Sequence, residues 1–285
     1  MKKWMILLIA AALLFSAALA EDDENWVDSA LPLELSQEYA LDMDMDGTIE
    51  YVSVRTALSE YDEEILQFAV DTLDEIYTYD TYISYQASAY AADLDGDGTV
   101  EILLCGDIAS ADFFTWCLKF DPEQGIYALP FADANRGDNT DEYFDMGYGK
   151  IEKIDGATIT MSGSQDMLGT WWCSREFTLR DGRFELDDGG VWHVMIDMED
   201  PDVWAYRSLT LLRELEATAP DGSALTLQPG DQFVIIETDK QYAKFQTKDG
   251  IVGTIQTEPD LEIGWGSLID GVSEYDYFEY IPYAD

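Results

Sequence analysis

The sequence predicts an all-β protein built from two modules, on three observations. Short β-branched and aromatic runs recur from Thr48 to Val194, separated by Asp-Gly, Pro-Glu and other Gly-containing turns. One acidic turn is repeated 51 residues on: Asp42-Met43-Asp44-Met45-Asp46-Gly47-Thr48-Ile49-Glu50 returns as Asp93-Leu94-Asp95-Gly96-Asp97-Gly98-Thr99-Val100-Glu101. A second cluster of short strands then follows Ser208.

Residues 1–20 read as an export signal, with Lys2 and Lys3 as the basic end, an apolar core from Met5 to Phe15, and Ala18-Leu19-Ala20 as a small-residue cleavage site. A membrane anchor fits less well. The apolar run is short, and Glu21-Asp22-Asp23-Glu24 follows it in place of a basic flank. No cysteine lies near the cleavage site, which argues against a lipid-anchored form. The expected location is therefore secreted, with cell-surface association through non-covalent contacts and no membrane insertion.

The first module, 21–198, takes its strands in order from Tyr51–Thr56, Glu64–Asp71, Tyr82–Ala92, Glu101–Cys105, Phe113–Phe120 and Gly125–Phe131. Lys150–Ile154, Ala157–Ser162, Thr170–Leu179 and Arg183–Leu186 continue the series, with Asp155-Gly156 and Asp181-Gly182 as hairpin turns. Over 60–76 a helix is the alternative, because Ile65, Phe68, Ala69, Thr72 and Ile76 have helical spacing. The alternation of Ile65 to Val70 favours the strand. The 51-residue period suggests a repeated unit of one acidic turn and three or four antiparallel strands, the size of a propeller blade. A third unit starting near Asp133–Asp145 has lost the acidic spacing.

Residues 199–208, which contain Glu199-Asp200-Pro201-Asp202, read as a linker. The second module, 209–285, begins in Ser208–Thr218 and continues through Leu225–Leu227, Gln232–Thr238, Gln241–Gln246 and Ile251–Gln256. Five short strands in some fifty residues fit a small closed barrel. The terminal run Tyr275-Asp276-Tyr277-Phe278-Glu279-Tyr280-Ile281-Pro282-Tyr283 is too apolar to stay in water, so it is expected to dock along a domain face.

Alternating carboxylates on a tight turn bring hard oxygen ligands to one point, the arrangement Ca²⁺ requires. An EF-hand loop carries an acidic residue at position twelve and helical flanks, whereas here that position is Ser53 or Leu104, both in strand-like sequence. The pattern Asp-x-Asp-x-Asp-Gly-x-x-Glu followed by an apolar strand resembles the calcium turns of FG-GAP/VCBS β-propeller repeats. That resemblance implies one ion held by Asp42, Asp44, Asp46, Glu50 and the carbonyl of Thr48. A second ion would be held by Asp93, Asp95, Asp97, Glu101 and the carbonyl of Thr99. The ninth position in the family is often Asp, and both copies here carry Glu. From Leu209 to Thr257 the chain resembles a bacterial Src-homology-3-like domain, through Leu227-Gln-Pro-Gly230-Asp-Gln-Phe-Val-Ile-Ile236, Tyr242-Ala-Lys-Phe245 and Asp249-Gly-Ile-Val-Gly253. Such domains commonly bind cell-wall peptides or glycans. Thr254 stands where many of them carry Trp.

The 59 acidic residues outnumber 15 basic ones, for a net charge of −44. Loss of Lys2 and Lys3 leaves 59 against 13, or −46. Such a surface repels phosphate backbones and anionic lipid, which excludes nucleic acid as an expected partner. At 47% apolar and 13% aromatic, the chain is too rich for a disordered acidic tail.

Cys105, Cys117 and Cys173 lack zinc spacing. Cys105 and Cys117 fall on successive strands and either bridge or sit buried as small apolar residues. The single histidine, His193, has no nucleophile motif beside it and reads as a buried or interface residue. No catalytic residues are assigned. A carboxylate pair for glycoside hydrolysis and a protein–protein scaffold are the alternatives to a non-catalytic binding protein. Trp171, Trp172, Trp192, Trp204 and Trp265 suit either sugar stacking or core packing, and alternation turns one of Trp171 and Trp172 inward.

Overall fold

The computed structural model describes residues 30–59, 64–83, 85–108, 112–132, 143–187, 189–239, 241–261 and 266–283. The export segment, Glu21–Glu24, most of the expected third acidic turn (133–142) and Trp265 lie outside them. The described chain is almost wholly β, and no helix in it is long and apolar enough to cross a membrane. Its two compact units are the described residues up to Met161 with Glu176–Asp187, and Ser162–Arg175 with the described residues from 189 on. The strands Thr158–Asp166 and Thr170–Arg180 contribute to both. The units thus run differently from the linear division of the sequence. Residues 162–175 and 189–198 group with the second unit, and the expected linker holds a π-helical turn, Val203–Arg207.

The described chain up to Leu186 forms three antiparallel meanders, the first two wholly in the first unit and the third shared with the second. β2 (Glu38–Leu41), β3 (Glu50–Leu58), β4 (Glu64–Asp71) and β5 (Ile76–Asp80) form the first, preceded in the chain by the short β1 (Leu31–Pro32). The segment with helical spacing is therefore the strand β4, because Ile65, Leu66, Phe68, Ala69 and Val70 are all buried in the sheet. β6 (Tyr85–Ala92), β7 (Glu101–Asp107), β8 (Phe113–Asp121) and β9 (Gly125–Ala128) form the second, with β1 beside β6. After the short β10 (Phe131–Ala132), β11 (Tyr143–Phe144) and β12 (Gly147–Tyr148) comes the third: β13 (Lys150–Asp155), β14 (Thr158–Asp166), β15 (Thr170–Arg180) and β16 (Arg183–Leu186).

The acidic loops join the first two strands of meanders one and two, and the third meander has only the tight turn Asp155-Gly156 at that place. Val52, Val54, Leu66, Phe68 and Val70 of the first meander share one core with Ala89, Ala91, Ile102, Leu104, Trp116 and Phe120 of the second. In the third, Phe131 of β10 stacks on Phe184 at 4.3 Å between ring centroids.

In the second unit β17 (Trp192–Val194), β18 (Leu209–Thr210) and β22 (Tyr242–Thr247) all pair with β21 (Gln232–Thr238). β22 continues to β23 (Val252–Gln256), which meets β19 (Leu215–Thr218), and β19 pairs with β20 (Ala224–Leu227). The expected closed barrel is not formed among the described residues, since β18 and β20 do not pair. The chain's own tail takes the open edge of β18: Glu279 N–H donates to Thr210 O at 3.0 Å, and Leu211 bridges Phe278. Tyr277, Phe278 and Ile281 are buried in that docking. A small three-stranded sheet precedes the tail, formed by β24 (Glu258–Pro259), β25 (Ser267–Ile269) and β26 (Val272–Ser273).

Candidate metal centres

Both acidic loops fold by one hydrogen-bonding scheme. In the first, Asp42 Oδ2 accepts from Gly47 N–H at 3.2 Å, Asp44 Oδ1 from Asp46 N–H at 3.1 Å, and Asp46 Oδ1 from Thr48 N–H at 2.6 Å. In the second, Asp93 Oδ2 accepts from Gly98 N–H at 3.1 Å, Asp95 Oδ1 from Asp97 N–H at 3.2 Å, and Asp97 Oδ1 from Thr99 N–H at 2.8 Å. Short acidic side chains thus satisfy the turn's own backbone donors, as Asx turns do. Gly47 and Gly98 close the turns at φ +86° and +90°, the left-handed region that costs any Cβ-bearing residue.

The ninth residue closes each loop. Period-2 alternation puts Glu50 on the face of β3 that buries Val52 and Val54, so its carboxylate is drawn under the loop, where Oε2 accepts from Met43 N–H at 2.8 Å. Glu101 repeats the contact with Leu94 N–H at 2.8 Å. One oxygen each from Asp42, Asp44 and Glu50 lie within 4.8 Å of one another, and so do oxygens of Asp93, Asp95 and Glu101. A cation with oxygen ligands at about 2.3–2.6 Å spans such a triangle.

The structure therefore brings together three of the expected side chains in each loop. Asp46 and Asp97 lie outside the triads and bind Thr48 and Thr99 instead. A hard cation suits the donor set, and Asp42 Oδ1 is buried without a hydrogen-bond partner, the kind of orphaned acceptor a bound ion satisfies.

Burial raises the carboxyl pKa of Glu50, and Asp44, Asp42 and Asp46 push it the same way against the Met43 hydrogen bond. Burial also raises that of Glu101, opposed by Lys119 and Leu94 N–H. Hydrogen bonding from Thr99 takes Asp97 down to about 2, with Lys119 assisting.

Lys119 is the residue that sequence reading missed. Its Nζ lies 2.7 Å from Glu101 Oε1, 3.1 Å from Asp97 Oδ2 and 3.9 Å from Asp95 Oδ2. The 2.7 Å approach is an ion pair with a fully buried carboxylate. The available signal was a lone basic residue in the second strand after an acidic loop.

All three cysteines are free and buried. Cys105 pairs with Thr115, and Cys117 with Leu103, so the two thiols sit diagonally across a ladder without bridging. His193 is exposed, not buried, and its Nδ1 lies 3.8 Å from Glu237 Oε2, because period-2 alternation turns it away from the buried Trp192. Of the tryptophans, Trp171 points inward and Trp172 is half-buried. Trp192 is fully buried under the Arg175 guanidinium, 3.7 Å from the ring centroid.

A cavity of about 390 Å³ in the second unit is flanked by Tyr206 and Tyr280, with Ser208, Thr210, Gln232 and Glu279 around it. Both tyrosines are largely exposed. Tyr206 comes from the π-helical turn and Tyr280 from the docked tail, and neither was singled out as a site residue in the sequence. No protein-family model, curated protein or solved structure matches the chain.

Proposed function

We propose that this is a secreted, calcium-stabilised, non-catalytic binding protein that recognises an extracellular glycan or cell-wall peptide. The observation that carries the reading is the doubled loop, with the same four backbone-to-carboxylate hydrogen bonds in each copy and three carboxylates converging on one point. In this reading the first unit is an FG-GAP/VCBS-like array of blades, supported by three successive four-stranded meanders. The second is Src-homology-3-like, supported by the antiparallel series β18-β21-β22-β23-β19-β20.

Calcium has a structural role here. Asp42, Asp44 and Glu50 repel one another in its absence, and the ion converts that repulsion into coordination. The ligand face is the Tyr206–Tyr280 cavity, where two exposed phenol rings present stacking surfaces and Thr210, Gln232 and Glu279 present hydrogen-bonding groups. Neutral sugars suit it better than polyanions, given the −44 net charge.

Retention on insoluble cell-wall material tests the reading. The purified protein in millimolar Ca²⁺ is expected to sediment with the material, and Tyr206→Ala/Tyr280→Ala to stay in solution with unchanged melting. Equal retention of the double variant, or none by the wild type, contradicts the assignment.

A further inference from the structure

The two loops match in backbone and differ in what faces them. Tyr51 opposes Asp71 on β4, and Ile102 opposes Leu118 on β8. Beyond these pairs β4 ends at Asp71, whereas β8 continues through Lys119, whose Nζ reaches Glu101 Oε1. The second triad thus meets an ammonium group, and no Lys or Arg forms an ion pair with the first among the described residues.

That ammonium is held firmly. The Lys119 side chain is 13% exposed, and its Nζ lies within 4.0 Å of Asp95, Asp97 and Glu101 together. Glu101 is fully buried, and its Oε1 has the ammonium as its close polar neighbour. In the first loop no ion pair forms among the described residues, and the buried Asp42 Oδ1 has no hydrogen-bond partner.

We propose that Lys119 is the resident cation of the second loop, so that a divalent ion binds at Asp42, Asp44 and Glu50 while Asp93, Asp95 and Glu101 are closed to it. A tethered ammonium competes at a high effective concentration that no dialysis lowers. An ion entering the second loop must either share the carboxylates with a like charge or expel the largely buried lysine side chain. Neither cost arises in the first loop. The repeat has thus divided its labour, with one loop set by the supply of divalent cation outside the cell and the other held by the chain itself. This inference rests on the calcium reading above.

Equilibrium dialysis of the purified protein against calcium-45, with no other ligand, tests it. The wild type is expected to bind one ion per chain, and the site to be lost in Asp44→Asn and kept in Asp95→Asn. Lys119→Met is expected to raise the count to two, and adding Asp95→Asn to that variant to return it to one. Two ions on the wild type overturn the proposal while leaving the calcium reading intact, as does a Lys119→Met protein that still binds one. No ion on the wild type overturns the calcium reading and this proposal with it. Should Lys119→Met fail to fold, Asp44→Asn and Asp95→Asn in the wild-type background decide alone: loss in Asp95→Asn but not in Asp44→Asn overturns it.

Discussion

Glu50 is 3% exposed on the core face of β3, with one oxygen fixed by Met43 N–H and Asp42, Asp44 and Asp46 close by. Without a cation its charge opposes folding, which is why its pKa is raised. Glu50→Gln keeps an acceptor for Met43 N–H and removes the charge. Chemical unfolding in chelator should find this variant at least as stable as the wild type, and calcium should no longer stabilise it at the first loop. A clear loss of stability in chelator contradicts the account.

Met45 supplies a second test at this scale. It sits at φ +59°, where the second loop has Gly96 at +73°. A left-handed residue with Cβ costs about 1–2 kcal/mol, and glycine's extra unfolded-state freedom returns roughly 0.5–1 of that. At 60% exposure, Met45 has little burial to lose. Met45→Gly should therefore stabilise the protein by about 0.5–1 kcal/mol in urea unfolding. A loss of similar size contradicts the strain argument.

At the level of elements, strand periodicity was the most legible feature. Glu64–Asp71, Arg183–Leu186 and Gln232–Thr238 are strands with the bounds their alternation and turns suggested. β5, Ile76–Asp80, was hidden because its burial alternates only between exposed and half-buried, so it lacks the apolar face that marks a half-buried strand. Convergence of Asp42, Asp44 and Glu50 was legible from spacing, since both turn and strand alternation are local. Lys119 was not, because a cross-strand register decides its partner. Tyr206 and Tyr280 were equally hidden, being 74 positions apart in the chain.

Hydrogen exchange should resolve the elements. Calcium is expected to slow exchange at Met43, Asp46, Gly47 and Thr48, while amides flanking Asp155-Gly156 stay unchanged. Uniform slowing contradicts a local site. The tail gives a separate prediction. Glu274, fully buried, accepts from Ser267 N–H at 3.0 Å and from the Tyr283 hydroxyl at 2.5 Å. Removing residues 274–285 uncovers Phe233, which meets Phe278 edge-on at 5.7 Å, and should increase binding of a hydrophobic dye. Unchanged dye binding contradicts docking.

Over the whole molecule, charge governs. With 59 acidic residues and a net charge of −44, the folded chain repels itself at neutral pH. The raised pKa of Glu50 and Glu101 acts in the same direction. A raised folded-state value gives a contribution complete below the unfolded carboxyl range near 4.5 and lost as pH rises through the folded value. Asp97, lowered to about 2, contributes oppositely, and its stabilisation is lost only as pH falls below about 4. In chelator, melting at pH 5 should therefore exceed that at pH 7.5. In calcium the gap between the two should narrow, because the ion binds the ionised carboxylates that protons titrate. A chelated protein more stable at pH 7.5 than at pH 5 contradicts this balance.

The central claim is that a divalent cation completes the acidic loop of the folded state. Its most direct test is the melting midpoint of the purified protein at pH 7.5 in chelator and across a calcium series. Binding to the folded state alone adds about 2.7 kcal/mol per occupied site at a hundred times the dissociation constant, and for a chain of this size the midpoint should rise by several degrees. A midpoint that stays level into the millimolar range contradicts the account.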